Sequence, residues 1–286
     1  MPPKLPSRES YASYPRRIVC LSDETAEVLY LLGEQDRIAG VSGFSKRPPE
    51  VRLKPRVSAF RDADIGAIAA LEPDLVLAFS DVQAEITRQL ILRGVTVLNF
   101  NQRSIAEILD MIAALARIVG KQAEGAALID SLLAGLGAIK TQGESLARHP
   151  RVYFEEWHDP LISGIRWVEE LVEIAGGVPI FPELLACGKS QDRLVEPSEV
   201  AARNPEIIFA SWCGMKVDLD AIRARPGWES ISAVRNGNIF DVESSTILQP
   251  GPASLTEGVR LLHALIARVA SAKNEDSSSP VKSIGL

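Results

Sequence analysis

Glu155, Glu156, His158 and Asp159 fall within five positions, beside Trp157, and form the densest group of chemistry-bearing side chains in the chain. Two carboxylates and an imidazole can relay a proton or ligate a metal. Adjacent carboxylates at a strand end are also ordinary solvated or loop-bonded groups. Cys213, next to Trp212, offers a nucleophile or, with Cys187, a soft metal-ligand pair; a structural thiol is the plainer alternative. These residues define one reading, a metal-dependent enzyme or metal-handling protein using Glu155, Glu156, His158 and Cys213. Against it, Ser22 and Ser163 have no identifiable histidine partner. Besides His158 there are only His149, at the end of a helical stretch, and His263, in the last helix. Phosphate-loop, dinucleotide and nucleophile-elbow fingerprints are absent.

A second group points to binding. Only 6% of the residues are aromatic, yet Phe44, Phe60, Phe79, Trp157 and Trp212 all fall in loops or at strand ends. The same loops carry Ser22, Asp23, Asp159, Ser163 and Thr246. Aromatic walls with a few polar groups suit a large, flat, partly apolar ligand. Filling a core between lobes is the alternative for each ring taken singly.

These residues need a scaffold that brings loop ends together. Short apolar strands are predicted at 17–21, 37–41, 74–79 and 95–99. Helices follow at 23–32, 63–71 and 81–93, which makes a mostly parallel sheet. The order returns at 151–154 (strand), 165–175 (helix), 197–202 (helix), 206–210 and 238–242 (strands) and 252–269 (helix), with 157–164 a loop. Between the two sets, residues 104–149 contain no proline. Ile105, Ile108, Leu109, Ile112 and Leu115 form one helical stripe, and Leu128, Leu132, Leu136 and Ile139 another, with Gly120 a break between them. We read this as a rigid connector between two lobes, the alternative being two crossover helices in one sheet. The expected organisation is a flexible segment at 1–15, an α/β lobe at 16–103, the connector at 104–149, a second α/β lobe at 150–270 and a disordered tail at 271–286. Residues just past each strand should then line a cleft.

A length of 286 residues accommodates two such lobes, and 46% apolar with 24% charged residues is ordinary globular composition. A net charge of −6 argues against nucleic acid as a partner. No apolar run spans a bilayer, and the N-terminus has no apolar export core. As written the chain reads as cytoplasmic and monomeric, or as periplasmic or cell-surface if its start has been trimmed. A disulfide between Cys187 and Cys213 is left open.

The segments EPDLVLAFS, PLISG ahead of a helix ending AGG, NPEIIFAS, and RPGWESISAVRNGNIFDV followed by QPGP carry a family resemblance. Over residues 17–270 the chain resembles the class III substrate-binding proteins of ABC importers. It looks most like those for vitamin B12 (cobalamin), with the iron-siderophore and heme binders beside them. The resemblance implies two Rossmann-like α/β lobes joined by a long rigid helix, no intrinsic cofactor, and a cobalamin or other metal-chelate ligand held between the lobes with little closure. It puts Phe44, Phe60 and Phe79 among the aromatic cleft residues of the first lobe and residues 159–161 on the ligand loop of the second. It also implies an ABC permease as partner, docked through Glu85 on one lobe and around Ser198, flanked by Glu196 and Glu199, on the other. Two features depart from the B12 pattern: Ser245-Thr246-Ile247 stands where some members have an aromatic, and His158 adds an imidazole able to ligate cobalt or iron.

Overall fold

The computed structural model describes residues 14–272. The segment expected to be flexible, apart from its last two residues, and the expected tail beyond residue 272 lie outside the described residues. The first sheet is entirely parallel, in the order β3-β2-β1-β4-β5, from β1 (Ile18–Cys20), β2 (Ile38–Ser42), β3 (Arg56–Ser58), β4 (Leu75–Phe79) and β5 (Val97–Phe100). The helices α1 (Asp23–Leu31), α2 (Ile65–Ala70) and α3 (Ala84–Leu92) make its crossovers. Alternation along each strand divides the side chains between two faces. Ile18, Cys20, Leu75 and Leu77 join one buried cluster with α1, whereas Val19, Leu21, Val76 and Ala78 join another with Ile68 of α2 and Leu90 of α3.

Two helices then leave the first sheet. Helix α4 (Ile105–Ile118) begins with a capping box, in which Ser104 accepts from the Glu107 N–H while the Glu107 carboxylate accepts from the Ser104 N–H. Gly120, at φ +77°, turns the chain into α5 (Gln122–Glu144), so the expected break is where the stripes placed it. At 23 residues α5 is about 35 Å long. The two helices touch closely: a Cβ at Gly125 would stand 2.3 Å from that of Ala116. Helix α4 packs on α1, and α5 packs on helices of the second lobe.

The second sheet runs β10-β9-β6-β7, with β8 beside the start of β6. Its strands are β6 (Arg151–His158), β7 (Leu161–Ser163), β8 (Val178–Pro179), β9 (Ile207–Ala210) and β10 (Ile239–Asp241). The helices are α6 (Arg166–Ile174), α7 (Pro197–Arg203), α8 (Leu219–Arg223), α9 (Ser232–Arg235), α10 (Ser244–Ile247) and α11 (Val259–Ser271), the last entered through a π-turn at Ser254–Gly258. One expectation is corrected here. Residues 157–164 are not a loop: β6 continues through Trp157 and His158, turns at Asp159-Pro160, and returns antiparallel as β7, with Trp157 opposite Ile162 and His158 opposite Leu161. Cross-strand pairing of these β-favouring side chains overrides the turn formers between them.

The central apolar cluster does not stop at the lobe boundary. Ile18 and Leu77 of the first sheet, Ile112 and Leu136 of α4 and α5, Phe154 and Phe209 of the second sheet, and Ile266 of α11 all belong to it. Burying such side chains contributes roughly 1.5–3 kcal/mol each, so the joint between the lobes is core rather than linker.

Candidate functional site

The carboxyl ends of both sets of parallel strands open onto one cavity of about 410 Å³. From the first sheet come Ser22 and Asp23 after β1, Phe44 and Lys46 after β2, and Phe60 beyond β3. From the second come residues 212–216 after β9 and residues 241–245 at the end of β10. The strand-end rule therefore gives the right place, but only part of the expected residue set. Ser22, Asp23, Phe44, Phe60 and Trp212 line the cavity; Phe79, Trp157, His158, Asp159, Ser163 and Thr246 do not.

Each of those six has a different local reason. Phe79 is buried at the end of β4, with the Phe60 ring centroid 6.5 Å away and the Arg103 guanidinium 5.2 Å over its own ring. Trp157 turns its indole N–H back onto the Asp159 carbonyl at 3.0 Å, which leaves Asp159 exposed on the hairpin turn. His158 stacks behind Trp212, with centroids 4.3 Å apart and planes 30° from parallel, and its buried Nδ1 has no partner. Ser163 is buried in β7, where its carbonyl accepts from Arg193. Thr246 lies not in a loop but in the single turn α10, where its hydroxyl accepts from Arg47 of the first lobe at 2.9 Å. Its neighbours Ser244 and Ser245 do reach the cavity.

The acid cluster comes apart in the same way. Glu155 is fully buried and held by Arg225 through two bonds of 2.7 and 3.1 Å, with the Trp212 indole N–H adding a third at 3.3 Å. Glu156 instead meets Arg193, itself 1% exposed, at 2.7 and 3.0 Å. Neighbouring residues on a strand present opposite faces, and each carboxylate has its own arginine. Among the described residues no group of three or more histidine, cysteine or acidic side chains could hold a metal ion. Cys187 and Cys213 are free thiols, the first half-buried and the second exposed on the cavity wall.

Residues that the sequence reading passed over complete the wall: Lys46, Met215, Lys216, Asp241, Glu243 and Gln249. Most lie at or just after a strand end, the exception being Gln249 beyond α10, so the rule that found Phe44 and Trp212 would also have found most of them. Lys46 crosses the cleft to Glu243 at 2.6 Å, and its neighbour Arg47 crosses to Glu257 at 2.7 Å. Gln102 donates to the Pro250 carbonyl at 3.2 Å, and the Ala253 N–H to Glu27 at 3.3 Å. A Cβ at Gly251 would lie 2.5 Å from that of Glu24, so only glycine permits the lobes to meet there. This seam leaves acids short of water. Burial pushes Asp23 up to about 6, Glu27 to about 7 and Glu24 to about 8, partly offset by hydrogen bonds from Ser45, the Ala253 N–H and Ser22 respectively.

Glu85, in the first turn of α3, is exposed and bonded by Arg88 at 2.8 and 2.9 Å, which draws its carboxyl down to about 2. Glu196 and Glu199 cap α7 reciprocally and are also exposed. No helix among the described residues is long and apolar enough to cross a membrane.

Comparison with known proteins agrees with this architecture. An ABC transporter substrate-binding lipoprotein of Bacillus subtilis (strain 168), itself uncharacterised, is 26% identical over 257 residues, covering 87% of this chain and 79% of the relative. A cobalamin-binding protein of Halobacterium salinarum (strain ATCC 29341 / DSM 671 / R1) is 25% identical, covering 88% of this chain and 70% of the relative. Among solved structures, the apo periplasmic heme-binding protein RhuT of Roseiflexus sp. RS-1 superposes with a TM-score of 0.77 at 21% identity, over 89% of this chain and 99% of that one. The family model described as periplasmic binding protein matches residues 18–246. With two α/β lobes, a cleft at their strand ends and that match over most of its length, the chain belongs to the periplasmic binding protein family, whose members bind solutes and are not enzymes.

Proposed function

We propose that this chain is the substrate-binding component of an ABC-type uptake system and that its ligand is cobalamin or a closely related corrinoid. The observation that carries the reading is the meeting of Phe44, Phe60 and Trp212, from both lobes, around a cavity whose other walls are mostly polar, from serines to Lys46, Lys216 and Gln249. Such rings cover the faces of a macrocycle, while serine, aspartate and backbone groups meet its peripheral amides. The cobalamin-binding relative supports the choice of ligand. Its place is outside the cytoplasmic membrane, in the periplasm or on the cell surface, where the substrate-binding lipoprotein relative also supports a permease as partner. Glu85 and the Glu196–Glu199 pair, exposed on opposite lobes, are the contacts offered to that permease.

The test is a titration with cyanocobalamin, following tryptophan fluorescence, because Trp212 lies on the cavity wall. Saturable quenching at micromolar ligand is expected. No quenching by cyanocobalamin, together with saturable binding of hemin or a ferric siderophore, overturns the choice of ligand.

A further inference from the structure

The charges on the cavity wall do not balance. Three acids (Asp23, Asp241 and Glu243) and two bases (Lys46 and Lys216) line it. Lys46 and Glu243 are bonded to each other at 2.6 Å. Lys216 forms no ion pair with Asp241, which is exposed to solvent, whereas Asp23 is half-buried. Asp23 has no ion-pair partner among the described residues; its Oδ1 accepts only the Ser45 hydroxyl, at 3.2 Å. No arginine lines the cavity. Arg47, Arg103, Arg193 and Arg225 each bond a protein carboxylate instead: Glu257, Asp81, Glu156 and Glu155 respectively. The wall therefore supplies no guanidinium fork for a ligand carboxylate or phosphate.

On the reading given under Proposed function, we infer that Asp23 is the specificity-determining residue of the cleft, favouring a macrocycle edged with amides over one edged with carboxylates. An ionised carboxylate is an acceptor only, so it takes an amide N–H and repels a second carboxylate. Asp23 is half-buried, where a like charge is opposed more strongly than in bulk water. Discrimination by repulsion needs no further contact with the correct ligand.

The experiment compares cyanocobalamin with its monocarboxylic acids, in which one peripheral amide is hydrolysed, and with hemin, at pH 7.5. Wild type, Asp23→Asn and Asp23→Ala are used, each first shown to keep the wild-type melting temperature within a few degrees. Asp23→Glu, which keeps the charge, provides a second control. Wild type and Asp23→Glu are expected to bind the acids about tenfold more weakly than cyanocobalamin, and Asp23→Asn to narrow that gap to about twofold. Cyanocobalamin binding with the same ratio in wild type and Asp23→Asn overturns the role of Asp23 and leaves the corrinoid reading standing. Hemin binding by the wild type as tightly as cyanocobalamin, or binding of no corrinoid at all, overturns both.

Discussion

The rings of His158 and Trp212 lie stacked 4.3 Å apart, and it is Trp212, not His158, that reaches the cavity. The imidazole thus acts as a backing plate for the aromatic wall, with the indole N–H of Trp212 fixed in turn by Glu155. A metal chelate in the cleft would meet indole and phenyl faces before the imidazole.

Replacing His158 with alanine should therefore weaken ligand binding a few-fold without changing the visible spectrum of a bound corrinoid. Loss of an axial ligand would shift that spectrum. Trp212→Ala should weaken binding by about 30-fold, or about 2 kcal/mol, and abolish most of the fluorescence quenching. Fluorescence titration and absorbance of the same complexes check both outcomes.

The buried pair Glu155–Arg225 makes a separate prediction. Arg225→Ala leaves a fully buried carboxylate without its cation and removes the guanidinium lying 4.2 Å over Trp228. Stability should fall by about 3–5 kcal/mol, measured by urea unfolding. The double substitution Arg225→Met with Glu155→Gln should recover a large part of that loss, because no charge then remains unpaired.

Stability should decline as the solution becomes alkaline. Burial raises Glu24 from 4.5 to about 8, and Glu169 by a similar amount. A carboxyl with a raised folded-state pKa binds more protons folded than unfolded, so its stabilisation is complete below pH 4.5 and is lost as pH rises through 8. The melting temperature should fall between pH 5 and pH 9, and Glu24→Gln should flatten that decline. An equally steep profile in the variant would remove Glu24 as its origin.

Glu85 and Glu196 are exposed, and the only structural role of the second is its cap on the short helix α7. Alanine at both should leave ligand affinity as in the wild type and lower the melting temperature by only a few degrees through the lost α7 cap, while lowering uptake, or ligand-stimulated ATP hydrolysis, in vesicles bearing the cognate permease. Unchanged uptake would dismiss these two positions as the docking contacts.

What could be read from the residues alone follows a physical divide. Strands such as residues 75–79 and helices such as α4 declare themselves because their apolar spacing is local. Gly120 marked its turn for the same reason. The hairpin through Trp157 and Leu161 was not visible, since its pairing is a cross-strand effect, and α8, α9 and α10, at four or five residues, are too short for any periodicity to register. The site divides likewise. Aromatic residues at strand ends are unusual enough to be noticed, whereas Lys46 and Glu243 are 197 positions apart and look like ordinary surface charges until the lobes meet. Arg193, in a polar stretch, gave no hint of being 1% exposed, because its partner Glu156 lies on a strand 37 positions away.

The apolar cluster common to both lobes also bears on how the solute leaves. Since the halves share an apolar interior and are stitched at Arg47, Gln102 and Glu27, the described residues leave little ordering to occur on capture of the proposed ligand. On the proposed function, a membrane partner gripping each half would have to prise apart a hydrophobic joint, which would tie discharge of cargo to the energy source of that partner rather than to thermal opening of the carrier.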